Sequence, residues 1–359
     1  MAQPIIHHRS PAFMDILAQV REDLKYLFQT EQEVLMFAAT GTGAMEGAVA
    51  NTLSPGDTAM VAEGGKFGER WAELCQVYGI NVDLIKIEWG QAVDPREVAR
   101  RLDGNPAIKA VLVQANETST GVQHPVQDLA AVVKDRPGTI LVVDAISALG
   151  GYPLPMDEWG IDIVVAGSQK AMMLPPGLAF AALSPKAWEF VKTSKCPKYY
   201  FDFAKQLKSQ QKNQTAYTSA VTLTLGLQQV LGWIREQGLD QIFARNQKLS
   251  AATKAAVKAM GMALFSKQNP SDVLTAVLAP AGIDGQQVVA KMREQGIWIA
   301  GGQAQAKGKI FRIAHMGFID EQDLLGTLGA LEIVLNDLGY QVELGVGVKA
   351  AQEILGKEA

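Results

Sequence analysis

Four stretches of the chain carry residues able to do ionic or covalent chemistry. In "IDIVVAGSQKAMMLPPGLAF" an apolar run delivers Ser168, Gln169 and Lys170 and then stays apolar. A lysine at a strand end is ordinarily solvated. Apolar sequence on both sides desolvates this one, which lowers its pKa and frees the amine for Schiff-base chemistry. Asp144 directly follows "TILVV". An acid there can be a helix cap, or a carboxylate held at the end of a sheet against a cation. In "LMFAATGTGAMEGAVAN" a strand-like run ends at Thr40-Gly41-Thr42-Gly43 and small residues begin a helix. Glycines allow close backbone approach, and a helix N-terminus offers unpaired N–H groups with partial positive charge, a cradle for phosphate. A plain capped glycine turn would look the same. Arg312, in "GKIFRIAHMG", interrupts an apolar strand. It either faces solvent or offers a guanidinium fork to a carboxylate.

These residues need elements that bring them together. Strand candidates are Asp57–Val61, Asn81–Ile87, Ala110–Gln114, Thr139–Val143, Ile161–Ala166 and Leu178–Leu183, with helix-like segments such as Asp94–Leu102 and Val126–Lys134 between them. Runs such as "KAVLVQ" and "TILVVD" are apolar throughout, as expected for strands covered by helices on both faces. The strand–helix alternation predicts an α/β domain with a mostly parallel sheet. In such sheets ligands bind outside the carboxyl ends of the strands, where these residues stand. After about residue 190 the pattern changes. "KYYFDFAKQLKSQQKNQTAYTS" reads as polar, aromatic and irregular, and a long helical region follows from about Ala220 to Met260 with a break at Gly238. "DVLTAVLAP", a helix "DGQQVVAKMREQG", strand-like "IWIAGG" and "KIFRIAHMG", and a final helix near Glu321–Leu338 read as a smaller α+β domain. The expected division is 1–237, a large cofactor-binding domain, and 238–359, a small C-terminal domain.

Composition narrows the function classes. A chain of 359 residues, 48% hydrophobic, exceeds what one compact core usually holds. Lys+Arg is 33 and Asp+Glu 37, a net charge of -4 that gives no electrostatic reason to expect nucleic acid. The two cysteines, Cys75 and Cys196, are far apart, and His7, His8, His124 and His315 form no metal-binding spacing. A disulfide framework, an iron–sulfur centre and a metal site are therefore not expected. With no long uncharged apolar run and no signal-like N-terminus, neither membrane insertion nor export is expected, and a cytoplasmic setting fits. A phosphate cradle, a buried acid, a reactive lysine and a carboxylate clamp together make a set suited to pyridoxal phosphate acting on amino acids.

The chain also resembles a family. "HRSPAF", "TGTGAMEGAVAN", "GGKFGERW", "NETSTGV", "VVDAISALGG", "GSQKAMMLPPGL", "KYYFD", "IAGGQ" and "KIFRIAHMGF" occur in the order found in class V pyridoxal-phosphate aminotransferases. The likeness is to the alanine/serine–glyoxylate branch, and particularly to its cyanobacterial members historically called soluble hydrogenase small subunit. The resemblance implies the aspartate aminotransferase-like fold, pyridoxal 5'-phosphate, and transfer of an amino group from serine, alanine or aspartate to a 2-oxo acid such as glyoxylate or pyruvate. It implies Lys170 as the Schiff-base lysine and Asp144 as the partner of the pyridinium nitrogen. Ile146 and Phe67 would cover the two ring faces. Thr40, Gly41, Thr42 and Gln169 would bind the phosphate, and Thr118 would stand near the phenolic oxygen. Thr215 and Thr218 would reach the phosphate of the partner subunit in a homodimer with shared sites, and Arg312 would take the substrate carboxylate.

Two departures from the family pattern affect the expectation. Relatives begin with a further stretch containing a Pro-Gly-Pro element, which the sequence from Met1 lacks; either the start is misassigned, or a more open site and a weaker dimer are expected. Ala148 stands where many glyoxylate-using relatives carry serine, so a hydroxyl near the substrate is expected to be lost. Two other readings compete. A cysteine desulfurase-like lyase needs a nucleophilic cysteine on a mobile loop, and neither Cys75 nor Cys196 suits that. A non-catalytic hydrogenase-associated subunit would have no need of Lys170, Asp144 and Arg312 together, and two isolated cysteines cannot build redox centres.

Overall fold

A computed structural model describes residues 4–357 of the chain, so the start at Met1 lies outside the described residues. Strand and helix alternate as expected. The first elements are α1 (Pro11–Phe28), β1 (Val34–Phe37), α2 (Gly41–Thr52), β2 (Thr58–Glu63), α3 (Lys66–Val77), β3 (Asn81–Lys86), α4 (Pro95–Gly104) and β4 (Ile108–Gln114). A short hairpin, β5 (Asn116–Glu117) and β6 (Val122–Gln123), precedes α5 (Val126–Lys134), β7 (Ile140–Asp144), α6 (Met156–Trp159), β8 (Ile163–Gly167) and β9 (Ala179–Leu183). Helices α7 (Pro185–Thr193), α8 (Phe203–Gln210), α9 (Val221–Gln237) and α10 (Leu239–Ala259) follow, the last two broken at Gly238. The chain ends with β10 (Leu274–Leu278), α11 (Gly285–Glu294), β11 (Ala300–Gly301), β12 (Ile310–Ala314), α12 (Glu321–Asp337) and α13 (Val346–Leu355).

The main sheet has seven strands in the order β1-β9-β8-β7-β4-β2-β3. β8, β7, β4, β2 and β3 pair parallel in sequence, and β9 runs antiparallel to both its neighbours. The wholly apolar strands are explained by burial on both faces. Leu141 and Val143 pack with α1 and α5 on one side, while Ile140 and Val142 pack with α2 and α3 on the other. A second, antiparallel sheet, β10-β12-β11, packs with α11, α12 and α13 around a further core that includes Phe311, Leu328 and Leu331.

Strand bounds shift from the expected ones by one or two residues, and three readings need correction. The polar, aromatic segment after residue 197 is not irregular throughout but contains α8. Asp202 caps it by accepting from the Lys205 N–H, and Phe203, Gln206 and Gln210 bury one face at helical spacing. Its polar composition hid this, because the buried glutamines satisfy the edge of β1. Gln210 Oε1 accepts from the Met36 N–H, and the Gln206 and Gln210 side-chain amides donate to the Met36 and Val34 carbonyls. "IWIAGG" forms only the two-residue β11. Helix α13 was not expected, since its start at Gly345 carries no capping side chain of its own.

Candidate active site

The parallel strands end on one edge of the sheet, and every chemically strong residue of the large sheet follows such an end. Thr40 comes after β1, Phe67 opens α3 after β2, and Thr118 follows β4 and β5. Asp144 is the last residue of β7, and Lys170 lies three residues beyond β8. In the sheet register Gln114 of β4 stands beside Asp144 of β7. A cavity of about 130 Å³ forms there, lined by Thr40, Gly41, Thr42, Phe67, Arg70, Asn116, Thr118, Asp144, Ile146, Ser147, Gln169 and Lys170. Larger clefts exist. One of about 670 Å³ between α1 and the α9–α10 junction is bordered by cations already committed to acids, Lys25 to Glu22 and Arg235 to Asp23.

Asp144 is buried, and its Oδ1 accepts from the Ile146 N–H at 2.8 Å. Burial pushes its carboxyl up to about 7. The Ile146 bond and the charges of Arg70 and Lys170 oppose that rise, and Glu117 adds to it. Lys170 is pushed the other way. Burial and then the Arg312 charge lower its pKa, while Asp144 holds it up. Both groups are thus drawn toward their neutral forms in one pocket, a common feature of catalytic sites.

Helix α2 begins at Gly41, and its cap residue Thr40 makes no side-chain capping bond, which leaves first-turn N–H groups for another acceptor. A Cβ on Gly41 would lie 2.4 Å from Ile146 Cδ1, so this close approach requires glycine. Thr42 Oγ1 accepts from Arg70 Nη1 at 3.2 Å. Thr118 donates to Ser147 Oγ at 2.8 Å and accepts from Asn116 Nδ2 at 3.2 Å. Gln169 Oε1 and Asn116 Oδ1 are buried without a partner among the described residues. Uncapped helix N–H groups, orphaned amides and an acid beside a lysine fit a phosphate-bearing ring that carries a basic nitrogen.

Arg312 stands apart from the cavity wall. It is buried in β12, with Nε and Nη2 donating to the Gly301 carbonyl at 3.0 and 2.7 Å and Nη1 to the Thr118 carbonyl at 2.7 Å. It therefore adjoins the site through Thr118 and does not face solvent. Thr215 and Thr218 line a different, smaller cleft beside Met36 and Tyr200. There Thr215 Oγ1 donates to the Tyr217 carbonyl at 2.5 Å. Ala148 is fully buried in the core, and the hydroxyl at this turn is that of Ser147, which lines the cavity. The turn therefore keeps a hydroxyl one residue before the position where the loss was expected. Arg70, Asn116 and Ser147 were not singled out from the sequence. Arg70 lies three residues after Phe67, on the same helix face, and Asn116 two before Thr118, whose hydroxyl its side-chain amide reaches. The cysteines lie elsewhere. Cys75 is buried, with its thiol pushed up to about 12 by desolvation, and Cys196 is buried beside the Tyr78 carbonyl.

A mostly parallel α/β sheet with a lysine and an acid at adjacent strand ends is a scaffold suited to pyridoxal phosphate. The aminotransferase class-V family matches residues 2–319, and the chain belongs to that family. It is 43% identical over 359 residues to the soluble hydrogenase 42 kDa subunit of Anabaena cylindrica, covering 99% of this chain and 94% of that one. It is 39% identical to the L-aspartate–glyoxylate aminotransferase of Paracoccus denitrificans, covering 98% of this chain and 90% of that protein. Among solved structures, ureidoglycine-glyoxylate aminotransferase from Bacillus subtilis superposes with a TM-score of 0.93 at 30% identity, covering 99% of this chain and 93% of that one. Family and fold imply pyridoxal 5'-phosphate as cofactor and transamination as the reaction. Among the described residues no helix is long and apolar enough to cross a membrane.

Proposed function

We propose that this transaminase moves an amino group from a small amino acid, serine, alanine or aspartate, to a 2-oxo acid such as glyoxylate or pyruvate, with Lys170 and Asp144 as its catalytic residues. The observation that carries this reading is the shared cavity in which burial shifts both groups toward neutrality. Pyridoxal phosphate, when bound, supplies a carbonyl that takes up amines and a ring that accepts electrons. Lys170 would hold that carbonyl through Nζ and, when its amine is free, would carry the substrate α-proton as base and then acid. Its lowered pKa suits both roles. Asp144 holds a proton at the ring nitrogen, where an opposite charge returns its carboxyl to the ionised form. The α2 N-terminus with Thr40, Gly41 and Thr42, and the Gln169 amide, hold the phosphate. Phe67 and Ile146 cover the ring faces and exclude water, and the Thr118 hydroxyl orients the ring oxygen. Arg312 receives the substrate carboxylate, with the Gly301 and Thr118 carbonyls fixing its fork.

The glyoxylate preference is supported by relatives whose names include glyoxylate as acceptor. A homodimer in which Thr215 and Thr218 reach the partner's phosphate is supported by the family resemblance of this segment; within this chain both residues line a cleft apart from the candidate site. A division at 1–237 and 238–359 is supported by the break at Gly238 and the separate core around Leu328, although α10 also contributes Leu239, Ile242 and Phe243 to the main core. A matrix of half-reactions followed by cofactor absorbance tests the function. Rapid conversion with serine, alanine or aspartate and return with glyoxylate or pyruvate is expected. Turnover confined to other donors would refute the substrate assignment.

A further inference from the structure

Helix α3 supplies the Phe67 and Arg70 walls of the cavity, yet it starts without a cap of its own. Gly65 precedes it and offers no side chain to the first-turn N–H groups. Those groups are satisfied from across the site. The Glu117 carboxylate accepts from the Phe67 N–H at 3.2 Å and the Gly68 N–H at 3.1 Å. Ser119 Oγ accepts from the Lys66 N–H at 3.1 Å and donates to Glu117 at 2.5 Å. The Ser119 N–H at 3.2 Å and Gln114 Nε2 at 2.9 Å complete the carboxylate's shell. The approach is possible only because the helix entry is glycine. A Cβ on Gly65 would lie 2.3 Å from Ser119 Oγ, and one on Gly68 would lie 2.5 Å from the Ala62 carbonyl oxygen.

Glu117, the last residue of β5, sits between Asn116 and Thr118, which line the cavity, while its own carboxylate is turned to the α3 N-terminus. We infer that Glu117 is a positioning residue that holds the ring-stacking Phe67 in place by capping α3 from the end of β5, directly before Thr118. A single fully buried carboxylate thereby locks two walls of the pocket to one another. Burial raises its pKa, and the bonds from Ser119, Gly68 and Phe67 offset part of that rise. Its charge also adds to the upward push on Asp144.

The inference rests on Phe67 packing against the cofactor, as proposed above. The test is a double-mutant cycle on the full chain, read by the pyridoxal-phosphate dissociation constant and by the visible circular dichroism of bound cofactor. Glu117→Gln keeps the shape and removes the charge. It should weaken cofactor binding about tenfold or more and reduce the visible dichroism, but change binding less than about twofold once Phe67 is already alanine. Binding by Glu117→Gln within about twofold of wild type, or an equal loss in both backgrounds, overturns the inference. If Glu117→Gln does not fold, Ser119→Ala takes its place. It should show the same coupled loss at smaller size, and unchanged binding counts against the inference. Wild-type protein that takes up no pyridoxal phosphate would refute the functional reading itself, whereas uptake unaffected by these variants refutes only the role of Glu117.

Discussion

At the scale of single residues, burial acts on Lys170 and Asp144 through one mechanism with opposite consequences for their pKa values. Asp144, pushed up to about 7 from an ordinary value of 3.8, is the more testable. An acid whose folded pKa is raised favours the folded state while it is protonated. That contribution is present below pH 4 and is lost as pH rises toward 7. In cofactor-free protein, the stability of wild type relative to Asp144→Asn should therefore fall across pH 4–7, by on the order of 4 kcal/mol at most, and level off above. Urea melts at several pH values measure this. A difference independent of pH would mean that Asp144 stays ionised throughout. Arg312→Lys keeps a charge but loses the fork. KM for amino-acid donors should rise about tenfold or more, with little change for a simple amine, in steady-state assays. The lysine, the acid and the cradle were legible from the sequence because each follows an apolar strand. Arg70 and Ser147 were not, since neither interrupts an apolar pattern and only the fold turns them into the cavity.

Elements were legible where their period was strong. Strands such as β7 and β8 declared themselves by unbroken apolar runs, and the Gly238 break separated α9 from α10 as expected. Elements held by side chains from elsewhere were not legible. Helix α8 presents glutamines to a strand edge, and α13 takes its cap from α12. Buried Glu332 accepts from the Gly345 N–H at 2.6 Å, the Gly347 N–H at 2.7 Å and the Val348 N–H at 3.2 Å. Hydrogen bonds to a charged acceptor contribute about 1.5–3 kcal/mol, so Glu332→Gln should lower unfolding free energy by about that amount. Chemical denaturation reads it, and cofactor affinity should stay unchanged because α13 does not border the cavity.

For the whole molecule, the proposed dimer makes cofactor binding and association one linked equilibrium, because a ligand held by two subunits stabilises their assembly. Sedimentation at low micromolar concentration should show more dimer with cofactor than without, and Thr218→Val should weaken cofactor retention. A fully active monomer at all dilutions would exclude shared sites. Nothing in this chain's own cavity requires Thr218, which lies in a separate cleft. That residue's role could therefore be reached from the family resemblance but not from the geometry of one subunit.

The central claim is that the Lys170 amine anchors the cofactor. Borohydride reduction of the cofactor-loaded protein, followed by peptide mass mapping, tests it most directly. One pyridoxyl group should be fixed on Lys170 Nζ in the wild type and be absent from Lys170→Ala, whose far-ultraviolet dichroism should match the wild type. Labelling of another lysine in the wild type, or none at all, would contradict the account.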